Sequence, residues 1–261
     1  MIRSYEQLTL GKYEEIVALL KDQTLDDLQL QAEVIGILND KTADEVLSLP
    51  LEEYQMLAYA AKFLEEVPEP KPRCAKSYNL AYTTSEGKRE ELVLIPTCSA
   101  RQMTTAQYID FQNFNVQGDK ITETLSCLLV PLGKRYCEDY DPAEVQAAIR
   151  HSLPVLPALH LLAFFFRIVR SINEGYSHLL VVGAESEEEQ DGEGEGRAPQ
   201  NSSFAEKWGW THAVDQVSET MRIPWPDVYR LDVIEFLTTL CYIRDKRAWE
   251  KSEIEKFKRQ N

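Results

Sequence analysis

Basic residues are scarce in this chain. Of 261 residues, 28 are Lys or Arg against 43 Asp or Glu, a formal net charge of −15. Nucleic-acid binding rests on basic side chains meeting phosphates, so this balance excludes a nucleic-acid partner. It equally disfavours an anionic membrane surface. Cysteine is sparse and unpaired in pattern. Cys74, Cys98, Cys127, Cys137 and Cys241 are odd in number and form no CxxC, so free thiols in a reducing compartment are expected. The four histidines, His151, His160, His178 and His212, make no HExxH and have no cysteine at ligand spacing, which leaves no zinc motif. No GxxxxGK[ST] or GxGxxG follows a strand. The opening residues, MIRSYEQLTLGKYEE, hold no apolar signal-peptide core. The longest apolar run, around Leu153–Phe166, is interrupted by Pro154, Pro157 and His160. It is shorter than the roughly 18 residues a spanning helix needs. These absences predict a soluble cytoplasmic protein with no cofactor, no metal and no catalytic residue.

What is present begins with residues 183–203, GAESEEEQDGEGEGRAPQNSS. This stretch has no aliphatic side chain beyond alanine, its like charges repel and its glycines keep it pliable, so a disordered acidic linker is expected. It sets apart a C-terminal module, 204–261, from a larger first part. That first part reads as an N-terminal helical segment, 1–72, and a hairpin plus helical core, 73–182, forming one domain together. The fold class is mainly α with a small β-hairpin, an acidic linker and a C-terminal helical hairpin.

The helical pattern starts with Tyr13, Ile16, Val17 and Leu20 at i, i+3, i+4, i+7. Val34, Ile35 and Leu38 continue it. Thr42 and Glu45 form a capping-box pair, and Leu51, Tyr54, Ala58 and Ala61 repeat helical spacing until the prolines of 67–72 stop it. The period then changes to two. Tyr78, Leu80 and Tyr82, then Leu92 and Leu94, alternate about a turn at 84–88, which predicts a β-hairpin. Helices return with a Thr104–Gln107 box ahead of Tyr108, Phe111 and Phe114, and with a stripe of Ile121, Leu125, Leu128 and Leu129. Asp141 caps a helix whose first residue is Pro142, with Glu144 reaching back. Leu156–Ile172 is apolar nearly all round, which predicts a helix central to the core. In the last module Ser203 and Glu206 cap a helix carrying Trp210, Val214, Val217 and Met221. IleProTrpPro (223–226) breaks it. Asp232 and Glu235 cap a final helix with Val233, Phe236, Leu237, Leu240 and Cys241, and the charged tail is expected to fray.

Few residue groups invite a chemical reading. His160 lies on the apolar helix, where a histidine bonded to a backbone or side-chain partner is expected rather than a ligand. GluAspTyrAspPro (138–142) gathers three carboxylates, but a calcium loop spreads its oxygens over about a dozen residues, and Asp141 serves as a cap. The aromatics are more suggestive. All four tryptophans fall in the small C-terminal module, and Trp208, Trp210 and Trp225 cluster around its first helix and proline turn. They are either its core or a binding surface, since Trp dominates interface hot spots. Phe164, Phe165 and Phe166 read chiefly as core. At 3.6 residues per turn three consecutive rings cannot share one face, so at least one must reach a second element or a groove. These six aromatics are the candidate protein-binding residues.

Stretches along most of the chain carry a family resemblance. LeuThrLeuGlyLysTyrGluGluIle (8–16) is followed by AspGluValLeuSerLeuProLeuGluGluTyr (44–54). MetThrThrAlaGlnTyrIleAspPheGlnAsnPhe (103–114) comes next, then LeuValProLeuGlyLysArgTyrCysGluAspTyrAsp (129–141) before the PhePhePhe helix. The terminal TrpGlyTrp helix and LeuThrThrLeuCysTyrIleArgAspLysArg (237–247) complete the set. The chain resembles the tail assembly chaperones and related small acidic tail-module proteins of tailed bacteriophages. The resemblance implies a non-enzymatic protein of the host cytoplasm that coats an apolar helical client, the tape-measure protein, and recruits tail-tube protein. It implies an exposed apolar groove on residues 103–180. A minor structural tail or neck component of the virion is the alternative, and an enzyme the third reading.

Overall fold

The computed structural model describes residues 2–22, 24–66, 68–83, 87–115, 120–180 and 200–260. The chain forms two compact units, Met1–Thr97 with Asp110–Arg167 and Cys98–Ile109 with Ile168–Asn261. The fold is mainly α with one small antiparallel sheet. The five cysteines are thiols that form no disulfide with one another.

The first unit opens with four helices: α1 (Leu10–Lys21), α2 (Asp27–Asn39), α3 (Ala43–Leu47) and α4 (Leu51–Ala61), followed by a 3-10 turn over Lys62–Glu65. The capping box at α3 is complete. The Glu45 N–H donates to Thr42 Oγ1, and the Thr42 N–H donates to Glu45 Oε2 at 2.8 Å. The α2–α3 turn is tight because Asp40 takes the left-handed conformation (φ 55°) and the Lys41 N–H donates to the Gly36 carbonyl. Gly36 is required there, since a Cβ would lie 2.5 Å from the Lys41 carbonyl oxygen. One cluster joins Ala32, Ile35, Val46 and Leu57. A second joins Tyr5, Leu8, Ile16 and Leu38 to Val155.

The hairpin is present as β1 (Tyr78–Thr83) and β2 (Arg89–Pro96), with Leu80 opposite Leu92 and Tyr78 opposite Leu94. A third strand, β3 (Leu129–Pro131), extends the sheet by pairing Leu94 with Pro131 and Pro96 with Leu129. Leu129 therefore leaves the helical stripe expected for it. α6 (Ile121–Leu128) ends one residue earlier, and the chain turns directly into the sheet edge.

α5 (Thr105–Asn115) is capped reciprocally by Thr104 and Gln107. α7 (Pro142–Ser152) is capped by Asp141, whose carboxylate accepts the Ala143 N–H at 2.9 Å; among the described hydrogen bonds Glu144 adds no side-chain return. α8 (Val155–Gly175) is the apolar helix, and it departs from expectation in two ways. It is 21 residues long, and by length and composition it is the one helix among the described residues that could cross a membrane. Only 33 % of its most apolar window is buried. The buried residues are Val155, Ala158, Leu161, Phe165, Val169 and Ile172, a single stripe at spacings of three and four. The sequence is apolar all round; the packing is one-sided.

Glu14 ties α1 to its neighbours. Its carboxylate accepts the Thr122 N–H at 2.8 Å, at the first turn of α6, and lies 3.2 Å from Arg150 Nε on α7, while its own side chain is only 11 % exposed. A backbone bridge adds to this. Leu10 N–H donates to the Leu153 carbonyl and Val155 N–H to the Leu8 carbonyl.

The second unit holds α9 (Ser177–Leu180), α10 (Gln200–Met221), α11 (Trp225–Arg230) and α12 (Val233–Gln260). Positions 183–199 of the expected acidic linker lie outside the described residues. α10 begins at Gln200, so Ser203 lies inside the helix rather than capping it. The Pro224 break is present, and the chain re-enters a helix at once as α11. Asp232 caps α12 by accepting the Glu235 N–H at 2.9 Å. Val214, Val217, Val228, Val233, Phe236 and Leu237 form the apolar centre of these helices. Cys98–Ile109 completes the unit: the Thr105 N–H donates to the Leu231 carbonyl and the Val233 N–H to the Met103 carbonyl. The tail expected to fray continues as helix through Gln260.

Glu14→Ala removes the acceptor shared by Thr122 and Arg150. We expect a loss of about 1–3 kcal/mol in denaturant unfolding monitored by circular dichroism, and a loss of less than about 0.5 kcal/mol for the exposed control Glu15→Ala.

Candidate functional site

Helices α1, α2 and α4 enclose an open apolar groove of about 750 Å³ within the first unit. Ile16 and Ile35 are buried at its floor, with Val34, Ala58 and Leu64 half-buried beside them. Its rim carries Leu20, 62 % exposed, and Tyr59, 75 % exposed. The geometry follows from α1. At 100° per residue, Ile16 and Leu20 lie about 200° and 240° around the helix from Glu14. The face opposite the anchored carboxylate is therefore the one left to line the groove. Leu20 belongs to the stripe Tyr13, Ile16, Val17, Leu20, but nothing among the described residues covers it. Tyr54 Oη donates to Gln31 Oε1 at 2.7 Å, linking α4 to α2. Lys62 sits 5.6 Å from the centre of the Tyr59 ring.

The ionisable residues lining the groove are Asp27, Glu65 and Lys62, on a segment, residues 10–66, that carries thirteen Asp or Glu against four Lys or Arg. A floor of aliphatic carbons edged by two carboxylates and one ammonium has the shape to take the apolar side chains of a helix. The groove lies outside the 103–180 interval expected to carry one. Its sequence signal was the exposed end of the α1 stripe together with the apolar surplus of α4, where Leu51 and Met56 are also more than half exposed.

The six candidate aromatics divide between the units. Phe165 is fully buried in the core. Phe164 is half-buried, with the Arg167 guanidinium 5.5 Å from its ring centre. Phe166 is 38 % exposed and meets Phe111 edge to face at 5.6 Å. The three rings thus point to three surroundings, as helical geometry requires. In the second unit Trp210 is half-buried and packs edge-on against Tyr108 at 5.6 Å. Tyr108 in turn donates to Asn173 Oδ1 at 2.7 Å. Trp225 is 41 % exposed, with its indole N–H donating to Asp215, and Trp208 is 43 % exposed. Trp210 serves packing, while Trp208 and Trp225 stay partly exposed.

His160 is bonded, as expected of it. The Lys71 N–H donates to its Nδ1 at 3.0 Å, and the Arg73 N–H donates to its carbonyl. The ring nitrogen acts as acceptor, which holds the proline-rich segment along α8. Among the described residues no group of three or more His, Cys, Asp or Glu could hold a metal ion.

One cluster of ionisable groups is buried. Tyr136 Oη donates to Asp110 Oδ2 at 2.8 Å, and Cys127, Cys137 and Tyr140 lie around it. Burial pushes the Cys127 thiol up to about 12, against an opposing hydrogen bond with Tyr136. Burial raises Tyr136 strongly, with Cys127 and Asp110 adding to it, and raises Tyr140 to about 12. Burial also raises Asp110 and Cys137, each opposed by the Tyr136 hydrogen bond. All of these shifts favour the neutral forms. A protonated thiol is a poor nucleophile, so the cluster reads as packing rather than as a reaction centre.

The chain matches no protein-family model, no curated protein and no solved structure.

The buried cluster gives a pH prediction. Cys127 is raised from 9.0 to about 12 in the folded chain, so its contribution is full below the unfolded thiol's range and is lost as pH climbs through the folded value. Tyr136 and Tyr140 act in the same direction. Stability should therefore fall progressively from pH 9 towards pH 12. Native iodoacetamide labelling at pH 8, read by peptide mass spectrometry, should modify exposed Cys98 and spare Cys127 until denaturant is added.

Proposed function

We propose that this protein is a tail assembly chaperone or adaptor of a tailed bacteriophage. It acts without catalysis in the host cytoplasm and binds apolar helical segments of a client such as a tape-measure protein. The carrying observation is the groove between α1, α2 and α4, open to solvent and floored by Ile16, Val34, Ile35 and Ala58. A surface of this shape is matched by the side chains of a helix at i, i+3, i+4 and i+7. The chain's charge of −15 keeps a complex soluble while the apolar faces are covered. The sequence resemblance to tail assembly chaperones supports the same reading, and the exposed rings of Trp208 and Trp225 supply a second surface for tail-tube protein.

A second reading, a minor structural component of the tail or neck, draws on α12. That helix carries Trp249, Ile254 and Phe257 at 62, 57 and 70 % exposure, a face suited to permanent assembly.

Coexpression with the tape-measure-like gene of the same genomic neighbourhood tests the proposal. The native chain should hold the client in the soluble fraction. The double variant Leu20→Glu, Tyr59→Ser, altered only at exposed positions, should fold normally by circular dichroism and lose at least about 1.4 kcal/mol of client binding, a tenfold loss in affinity. Equal solubilisation by the variant would reject the groove as the client site. Recovery of the protein in purified particles would favour the structural reading.

A further inference from the structure

The last fifteen residues of α12 carry large apolar side chains with no cover among the described residues, on an arc they share with Lys246, Glu250 and Glu253. Asp245–Lys251 and Ile254–Arg259 are exposed throughout. At 100° per residue, Tyr242, Trp249 and Phe257 fall within about 80° of one another, and Ile254 lies about 60° beyond Phe257. All four are more than half exposed. A helix of this length is marginal in water when it packs on nothing. Its internal ion pairs, Lys256–Glu253 at 2.7 Å and Lys246–Glu250 at 3.9 Å, contribute a few tenths of a kcal/mol each.

Charge runs against the rest of the chain here. Residues 244–260 carry seven Lys or Arg and four Asp or Glu. The tail is thus a net-basic helix with exposed aromatic and aliphatic side chains on an acidic protein. The α1–α2–α4 groove offers the complement, with an aliphatic floor, exposed Leu20 and Tyr59 on its rim, and Asp27 and Glu65 among its lining residues.

We propose that the C-terminal half of α12 from one copy of this chain occupies the α1–α2–α4 groove of a second copy when no client is bound. Trp249, Ile254 and Phe257 supply the apolar anchors. Lys246, Lys256 and Lys258 meet the acidic margin, whose complementary charge selects this helix over the acidic remainder of the surface. The contact shares its groove with the client reading above but does not depend on any client. Self-association can therefore stand or fall without deciding the chaperone role.

Sedimentation velocity on the full chain over a concentration series tests it. The native protein should associate as concentration rises, and raising salt from about 0.05 M to about 0.5 M should weaken association about tenfold, because exposed charges are screened. A tail variant, Trp249→Ser, Ile254→Ser, Phe257→Ser, should sediment as a monomer. A groove variant, Leu20→Glu, Tyr59→Ser, should do so too. All five positions are exposed, so both variants should retain the native circular dichroism spectrum. Mixed together, the variants should form a two-chain complex, since one keeps its groove and the other its tail. Cross-linking a mixture of isotopically light and heavy native chains should give light–heavy links between residues 246–258 and 10–66. A monomer at every concentration, undiminished association of either variant, failure of the mixture to pair, or links confined to single copies would each overturn the proposal.

Discussion

Glu14 is the point on which the first unit turns. One carboxylate, 11 % exposed, takes the first-turn amide of α6 and faces the guanidinium of Arg150 on α7. Removing it would strand a helix N-terminal donor and half of an ion pair. Its position also decides what α1 can do on the other side. With Glu14 turned toward α6 and α7, Ile16 and Leu20 must face the opposite way. There α2 and α4 approach but do not close over them. The groove is thus a consequence of how α1 is held. The tight Gly36–Lys41 turn and the Thr42–Glu45 box then set the path from α2 to α4.

Two kinds of apolar surface result. One is internal: Val155, Leu161 and Phe165 of α8 and the Tyr5–Leu8–Leu38 cluster bury their carbons fully. The other is external and lies at the groove rim, on α4 and along the end of α12, where Tyr59, Leu51, Phe257 and Trp249 remain more than half exposed. Scattered exposed hydrophobics are ordinary, but clusters flanked by charge mark interaction surfaces. Residues 10–66 are net acidic and residues 244–260 net basic, and it is this opposition of charge on which the proposed pairing of tail and groove rests. The buried Tyr136–Asp110–Cys127 group points the other way, since burial shifts every member toward its neutral form.

Local signals in the sequence located most elements. The capping pairs Thr42–Glu45 and Thr104–Gln107 and the caps Asp141 and Asp232 all mark real helix starts, because a cap is decided within four residues. The alternation of Tyr78, Leu80 and Tyr82 marked β1 for the same reason. Non-local pairing was not legible. β3 is three residues that read as the end of a helix and become a strand only because β2 offers an edge. The apolar surplus of α8 pointed to full burial, yet composition cannot tell a buried helix from one with a single covered face. The groove escaped notice because the stripe containing Leu20 has core spacing; its exposure is set by where Glu14 is anchored. Ser203 was a plausible cap, but α10 starts three residues earlier. In α12, mixed charge suggested fraying, while the 28-residue helix persists to Gln260.

Amide hydrogen exchange on the full chain, free and mixed with the tape-measure-like protein proposed as its client, tests most directly whether the α1–α2–α4 groove is the docking surface. Slowed exchange concentrated in residues 16–35 and 55–65, with α7 unchanged, is the result this account predicts. Protection confined to other helices, with residues 16–65 exchanging as in the free chain, would contradict it.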